Sequence, residues 1–243
     1  MPPVTDAFFT PAWPLPANVR AVVTQRSGGI SAPPFDSNNL ATHVGDQSAS
    51  VAHNRRLLWQ QLPGVRSIQW LNQVHGTAVV AACGGTVVPV ADAQFTREKG
   101  LACAVLTADC LPVLFCAADG SQVAAAHAGW RGLAAGVLLK TLQQFADPEQ
   151  VLVYLGPAIR AGHFEVGPEV KAAFAWASAD CFRPGTGDRY FADLYQLARQ
   201  QLQRAGVVHI HGGEHCTFRD AQQFYSYRRQ TVTGRQASLI WRL

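Results

Sequence analysis

Leu101 to Leu106 and Pro112 to Cys116 are two apolar runs of strand length held apart by one short turn, and that turn carries Asp109 and Cys110. The pattern recurs. Ser67 to Asn72 and Ala78 to Ala82 read as strands flanking the His75 turn, and Gln122 to His127 reads as a strand leading through Gly129 into a helix. Apolar runs this short, bounded by Gly and Asp, favour strands. Such a chain is committed to a sheet-rich body whose turns present one metal-ligand type each. Two imidazoles and one thiolate make a three-ligand zinc set with a coordination position left over, as a catalytic site requires. Taken singly, each residue has a plainer reading. His75 suits an ordinary turn, Cys110 a small buried hydrophobe, and His127 a strand end where its ring bonds the backbone.

The remaining elements follow from punctuation and periodicity. Ala21 to Thr24 and Gln150 to Leu155 read as strands, as do Val207 to His211 and Ser238 to Arg242. Ala49 to Leu62 reads as a helix capped by Ser48 or Ser50 and ended by Pro63-Gly64. Leu133 to Phe145, Pro168 to Ala177 and Asp193 to Ala205 read as further helices. The first 20 residues carry five prolines and read as irregular, with room for a short docking strand. No repeat, linker or low-complexity tract divides the chain. The expected fold is α+β, a single layered α/β domain with mixed sheets and outer helices over residues 1–243.

Composition narrows the function. Over 243 residues, 48% are hydrophobic and 15% charged, a balance suited to a packed core and opposed to disorder. The net charge of +4 is mild, with no Lys/Arg stripe, so no nucleic acid is expected, though anionic small molecules are favoured. Only the stretch from Arg219 to Arg242 is locally basic, its arginines interleaved with aromatics. The six cysteines form no CxxC pair, and Met1 to Asp6 has neither a basic nor an apolar signal region. A cytoplasmic protein with reduced thiols is expected, without a membrane span, as a monomer or homodimer.

Other motifs are weaker. His209-Ile210-His211-Gly212-Gly213-Glu214-His215-Cys216 is the densest run of ligand-type residues; a second metal site and a solvated strand end both fit it. Gly156-Pro157-Ala158-Ile159 and Gly185-Thr186-Gly187-Asp188 are turns, and no GxxxxGK[ST] or GxSxG motif points to an ATPase or a serine hydrolase.

Several ordered motifs together resemble the laccase-domain family, also called the YfiH-like or multicopper polyphenol oxidase family and now viewed as purine nucleoside phosphorylases. They are Thr24-Gln25-Arg26-Ser27-Gly28-Gly29-Ile30-Ser31, Asn39-Leu40-Ala41-Thr42-His43-Val44-Gly45-Asp46, Asn72-Gln73-Val74-His75-Gly76 and Ala91-Asp92-Ala93. Thr107-Ala108-Asp109-Cys110-Leu111-Pro112, His127-Ala128-Gly129-Trp130-Arg131-Gly132, Phe164-Glu165-Val166-Gly167, Cys216-Thr217 and Phe224-Tyr225-Ser226-Tyr227-Arg228-Arg229 continue the series. The resemblance implies a layered α/β fold shared with a group of cysteine hydrolases, and a Zn2+ ion held by His75, Cys110 and His127. It implies phosphorolysis of adenosine, inosine, guanosine and methylthioadenosine, with purine nucleosides and phosphate as partners. It also implies deamination of adenosine to inosine, and a link in bacterial relatives to peptidoglycan precursor quality. Asn39 and His43 fall near the pocket by the same resemblance, placed to orient a ribose or a proton. The chain departs from the family at Ala158, where Cys is frequent, and at Gln230, where an acid is usual; His163 falls in a variable stretch.

Phosphate asks for cations. Arg26, Arg131 and Arg228 are candidates for an anion clamp, because guanidinium presents a planar fork to phosphate oxygens; surface solvation or structural pairing fits each of them equally. Asp109 is placed to brace a turn or a ligating histidine. Three rivals stay open. One is a copper-dependent polyphenol oxidase, although a laccase needs several coppers and the chain has eight histidines in all. Another is a cysteine hydrolase using Cys110 as nucleophile and His127 as base. The third is a non-catalytic binding protein.

Overall fold

A computed structural model describes residues 7–243; the reading of Met1 to Asp6 falls outside the described residues. The strands are β1 (Phe8–Phe9), β2 (Val19–Thr24), β3 (Ser67–Gln69), β4 (Val79–Ala81), β5 (Ala93–Thr96), β6 (Leu101–Thr107) and β7 (Leu111–Ala117). They continue with β8 (Val123–Ala128), β9 (Val151–Leu155), β10 (Glu165–Val166), β11 (Phe182–Pro184), β12 (Tyr190–Ala192), β13 (His209–Gly212) and β14 (Gln236–Arg242). The helices are α1 (Ser48–Gln60), α2 (Trp130–Ala134), α3 (Val137–Leu142), α4 (Pro168–Ala173) and α5 (Leu194–Arg204). A five-stranded sheet has the order β1-β2-β14-β6-β3, and a six-stranded sheet the order β13-β9-β7-β8-β5-β4. A small sheet, β10-β12-β11, stands apart. The pairings are mixed, with β3–β6, β4–β5 and β9–β13 parallel and the rest antiparallel.

The two large sheets pack face to face, which explains why β7 is apolar at nearly every position. Leu111, Val113 and Phe115 point to the helical side, into a core shared with Leu133, Leu138, Leu197 and Leu202. Leu114 and Cys116 point the other way, to meet Val19, Ala21, Cys103, Val105 and Ile240 of the opposite sheet. A third core closes the far face of the five-stranded sheet, where Leu58 and Leu62 cover Val22, Ala104 and Trp241. The result is a layered, mixed-sheet α+β body with helices outside, as the sequence predicts. Among the described residues, no helix is long and apolar enough to cross a membrane.

Several local expectations change. The helix expected from Leu133 to Phe145 is two short helices, because Gly136 sits at φ 90° between them, a conformation that interrupts the helix and suits glycine. Helix α1 begins at Ser48 itself, and its N-cap is Gln47 without a side-chain cap, so neither Ser48 nor Ser50 caps it. Helix α5, by contrast, is capped by a side chain: the Asp193 carboxylate accepts from the amides of Tyr195 and Gln196.

Strand β5 has no apolar signature, since Gln94 and Thr96 lie within it, yet both are buried. Gln94 is tolerated there because its amide donates to the carbonyls of Gln69 and Ala104 in the opposite sheet (2.9 and 2.8 Å). The strand expected from Ser67 to Asn72 stops at Gln69. Beyond it the Gln73 side chain takes over the pairing, accepting from the Leu106 amide and donating to its carbonyl, both at 2.8 Å. That clasp holds the His75 turn against the end of β6.

Candidate metal centre and its cavity

Three turns meet at one end of the sheets. Pairing of Leu111 with Ala128 and of Pro112 with His127 brings Cys110, immediately before β7, beside the end of β8. The turn between β3 and β4 lays His75 across them. The donor atoms of His75, Cys110 and His127 all lie within 4.8 Å of one another, with Cys110 Sγ 3.8 Å from His75 Nε2. The two imidazole rings stand edge to face, 4.8 Å between centroids. The three side chains are graded in exposure: His75 exposed, Cys110 half-buried, His127 buried.

One carboxylate organises the set. Asp92, fully buried just before β5, accepts the backbone N–H groups of Val74, His75 and Gly76 at 3.2, 2.9 and 2.6 Å. It also faces His127 Nδ1 at 2.8 Å. Burial by itself would push the Asp92 carboxyl up, but the bonds from His127 and from the Gly76 and Val74 amides outweigh it and hold the carboxyl below its ordinary value. An ionised Asp92 can only accept, so His127 Nδ1 carries the proton and Nε2 is left to coordinate. The same carboxylate therefore orients one ligand through its ring and the other through its backbone.

The backbone at the centre is unusual for side-chain-bearing residues. His75 has φ 60° and Asp109 φ 94°, the two non-glycine residues with positive φ among those described. Such conformations persist only where surrounding contacts over-determine them. For His75 the contacts are those to Asp92. For Asp109 they come from three other segments: Thr217 Oγ1 donates to Oδ1 and the Arg228 amide to Oδ2, both at 2.6 Å, while the Asp109 carbonyl accepts from the Ile159 amide. Asp109 thus braces the turn and its neighbouring loops; the histidine is braced by Asp92. Gly129 completes the packing by lacking a side chain, since a Cβ there would lie 2.8 Å from His75 Cδ2 and 3.0 Å from Cys110 Sγ.

Charge follows from this packing. Burial opposes ionisation of the Cys110 thiol, yet His127 and His75 beside it bring its pKa below the ordinary thiol value. Burial likewise opposes a charged His127, and Cys110 and Asp92 together overcome it and raise its pKa. The thiolate is the metal-binding form of cysteine. A tetrahedral ion at ordinary Zn–N and Zn–S bond lengths would space its donors about 3.3–3.6 Å apart, close to the Cys110–His75 separation. The donor set fits a single metal ion.

Above the donors opens a cavity of about 390 Å³, within the range of small-molecule sites. His43, Gln73, Thr107, Ile159, Phe164, Tyr227, Arg228 and Arg235 share its wall with the three donors. Burial, then the charges of Arg235 and Arg55, lower the His43 pKa and keep the ring neutral at pH 7. Arg228 packs over the Phe164 ring at 5.4 Å and donates one Nη1 bond, to the Glu165 carbonyl.

Of the residues singled out by sequence, the fold gathers His75, Cys110, His127, His43 and Arg228 around this cavity. It does not bring Arg26 or Arg131 there. Arg26 is held by Asp36 at 2.9 Å and by the Ala221 carbonyl, beside a separate surface groove. Arg131 is exposed and lies over the Trp130 ring. Asn39 is fully buried behind the cavity wall, where its Oδ1 accepts from the amides of Ala41 and Arg235. Sequence reasoning left Asp92 without a role and passed over Arg235. The available signals were an acid inside the apolar Ala91-Asp92-Ala93 and a basic, aromatic-rich carboxyl-terminal stretch.

The cluster from His209 to Cys216 stays dispersed. His209 and His211 lie on the edge strand β13, and His215 packs against the rings of Phe9 and Phe224. His163 stacks on Phe218. Among the described residues, His75, Cys110 and His127 form the only grouping of three His, Cys, Asp or Glu side chains placed to hold an ion.

Comparison with known proteins gives matches over nearly the whole chain. Residues 20–243 match the family model described as multi-copper polyphenol oxidoreductase laccase. A purine nucleoside phosphorylase of Pseudomonas aeruginosa is 52% identical over 241 residues, covering 97% of this chain and 98% of that protein. The purine nucleoside phosphorylase YfiH of Escherichia coli is 50% identical over 240 residues, covering 96% and 98%. Among solved structures, a Neisseria meningitidis protein superposes with TM-score 0.92 at 48% identity, over 97% of this chain and 99% of that one. YlmD from Geobacillus stearothermophilus gives 0.87 at 33% identity, over 98% and 99%.

Proposed function

The chain belongs to the family described as multi-copper polyphenol oxidoreductase laccase, and from that premise we propose that it is a zinc-dependent purine nucleoside phosphorylase. Its substrates are adenosine, inosine, guanosine and methylthioadenosine, and it also deaminates adenosine. The names of the relatives support the reaction class. The observation that carries it is a cavity of nucleoside size in which a three-donor metal set lies beside cations and aromatic walls. Residues 1–243 act as one catalytic domain in the cytoplasm, with no nucleic acid or membrane partner.

In phosphorolysis a phosphate oxygen forms a bond to C1′ of the ribose while the C1′–N9 bond breaks. The electron pair goes to the purine, which takes up a proton and leaves as the free base, with ribose 1-phosphate as co-product. Arg228 offers its guanidinium to the phosphate. Phe164 and Tyr227 offer rings, and Ile159 and Leu106 apolar surface, to the base. His43, neutral, offers both a donor and an acceptor to the ribose or to a moving proton. Asp92 holds His127 in one tautomer and His75 in one place throughout. A bound zinc ion would supply Lewis-acid polarisation at the cavity floor.

Zinc is favoured over copper by what surrounds the donors. Two imidazoles and a thiolate suit an electron-transfer copper when an axial Met or Gln completes the set. Here both ends of the nearby Gln73 amide are committed to Leu106. A laccase would further need several copper sites, against a single three-donor grouping among the described residues.

Incubation with adenosine, with and without phosphate, followed by chromatography of adenine, inosine and hypoxanthine tests the proposal. Adenine should form only with phosphate, and inosine in both conditions. Metal-loaded protein that releases no base from any of the four nucleosides overturns it.

A further inference from the structure

A phosphorylase must hold a dianion against C1′, and one guanidinium in the cavity is built for that by a loop remote from the metal donors. Arg235 immediately precedes β14. Its amide donates to Asn39 Oδ1 at 3.0 Å, and its carbonyl accepts from the Leu40 amide at 3.3 Å. Asn39 is itself fixed on every side: its Nδ2 donates to the Ala41 carbonyl (3.0 Å) and to Asp46 (2.9 Å), and its carbonyl accepts from Asn54 (3.0 Å). The neighbouring Gly234 allows the close approach, since a Cβ there would lie 2.7 Å from the Tyr225 ring and 3.0 Å from Asn39 Cβ.

The side chain is held at one corner only. Nη1 donates to the carbonyls of Thr233 and Gly234, both at 2.9 Å, and the guanidinium carbon lies 5.9 Å from the Tyr227 ring centroid. Among the described residues, Nε and Nη2 have no hydrogen-bond partner and no carboxylate lies within ion-pair distance. Arg26 shows the contrast, with its Nη2 on Asp36 and its Nε on the Asp36 carbonyl. Cys110 and Asp109 act on this partly buried cation only from beyond ion-pair distance, so its own burial is not offset by a direct partner and an anion on the free edge would supply one. The Nε–Nη2 edge is the one guanidinium uses to bind two oxygens of a phosphate at once.

We propose that Arg235 grips the attacking phosphate through its Nε–Nη2 edge, and that Asn39 is its positioning residue, acting through the Arg235 backbone. The inference rests on the phosphorylase reading and refines it: Arg235 makes phosphate the nucleophile, while the nucleoside is held by other walls.

The test uses Arg235→Gln, Arg235→Lys and Asn39→Ala in the full chain. Initial rates of inosine phosphorolysis are measured against phosphate and inosine separately, and inorganic phosphate binding is measured by calorimetry. For Arg235→Gln the KM for phosphate should rise about tenfold or more, as expected for losing a charge-assisted pair of bonds, with a smaller rise for Arg235→Lys. The KM for inosine should stay within about twofold, because uniform nucleoside binding is untouched. Asn39→Ala should shift the phosphate KM in the same direction and leave the inosine KM alone. Unchanged phosphate KM and unchanged phosphate binding in a folded Arg235→Gln variant overturn the assignment. Parallel losses for both substrates in Asn39→Ala overturn its positioning role. If the wild type binds phosphate through Arg235 yet releases no base, the phosphorylase reading fails and the anion site stands.

Discussion

Two places in this molecule bring together imidazoles and a thiol within a few elements, and only one of them makes a centre. His209, His211, His215 and Cys216 are close along the chain but diverge in space. His209 and His211 are two residues apart on strand β13, hence roughly 7 Å apart along it, and His215 is packed between Phe9 and Phe224. His75, Cys110 and His127 come from three turns at one end of the sheets, and their donor atoms converge within 4.8 Å. The difference lies in what stands behind the ligands. Asp92 ties two of the three to each other, and Asp109 holds the turn of the third against three other segments. Among the described residues, no comparable carboxylate pulls the β13 histidines together.

The sharpest break of that contrast is Cys110→Ala. It should abolish most metal binding and at least about a hundredfold of turnover, since the thiolate is a third of the donor set. Elemental analysis and nucleoside assays of the folded variant check it; a full complement of metal with normal rates would sink the centre.

Asp92→Asn comes next. It keeps an acceptor for the His75 loop but loses the charge that fixes the His127 tautomer. About a 10- to 100-fold fall in metal affinity or activity is expected, read by competition with a chelator. An unchanged affinity would mean that the carboxylate serves the loop alone.

A smaller effect separates the two regions by pH. The metal-free Cys110 thiol has a lowered pKa, so its thiolate should persist as pH falls from 9.0 and disappear only as pH passes below the shifted value. Buried Cys116, pushed up to about 12, stays protonated over that range. Alkylation followed by peptide mass mapping should label Cys110 at neutral pH and spare Cys116, with bound metal protecting Cys110. Because binding displaces the proton held on His127, metal affinity should weaken as pH falls. Equal labelling of both thiols would contradict the thiolate assignment.

The smallest expected effect is the most discriminating. His209→Ala and His211→Ala should leave metal content and rates unchanged within error. Loss of one equivalent of metal would reveal a second centre on β13.

How much could be read in advance depends on how local the cause is. Strands β6, β7, β8 and β9 were legible because both faces of each are buried and each is apolar apart from Thr107 in β6 and His127 in β8. Strand β5 was not, because Gln94 and Thr96 look exposed until the opposite sheet supplies the bonds of Gln94. The break at Gly136 was hidden because glycine within a helical pattern does not announce a positive φ. Among site residues, Arg26 and Arg228 looked alike as arginines in matching motifs. Asp36 lies beside one, and the other faces a cavity, and neither fact is local.

By itself the sequence determined the donor types, the strands that carry them, and a kinship whose members are named for purine chemistry. Those depend on residue identity and short-range pattern, which the chain states directly. Tertiary structure alone decided that Asp92 orients both histidines, that Arg235 rather than Arg26 or Arg131 faces the cavity, and that the His209–Cys216 run makes no centre. Each of those rests on contacts between residues remote in the chain, where angles and distances of a few ångströms decide the outcome and no local pattern records them.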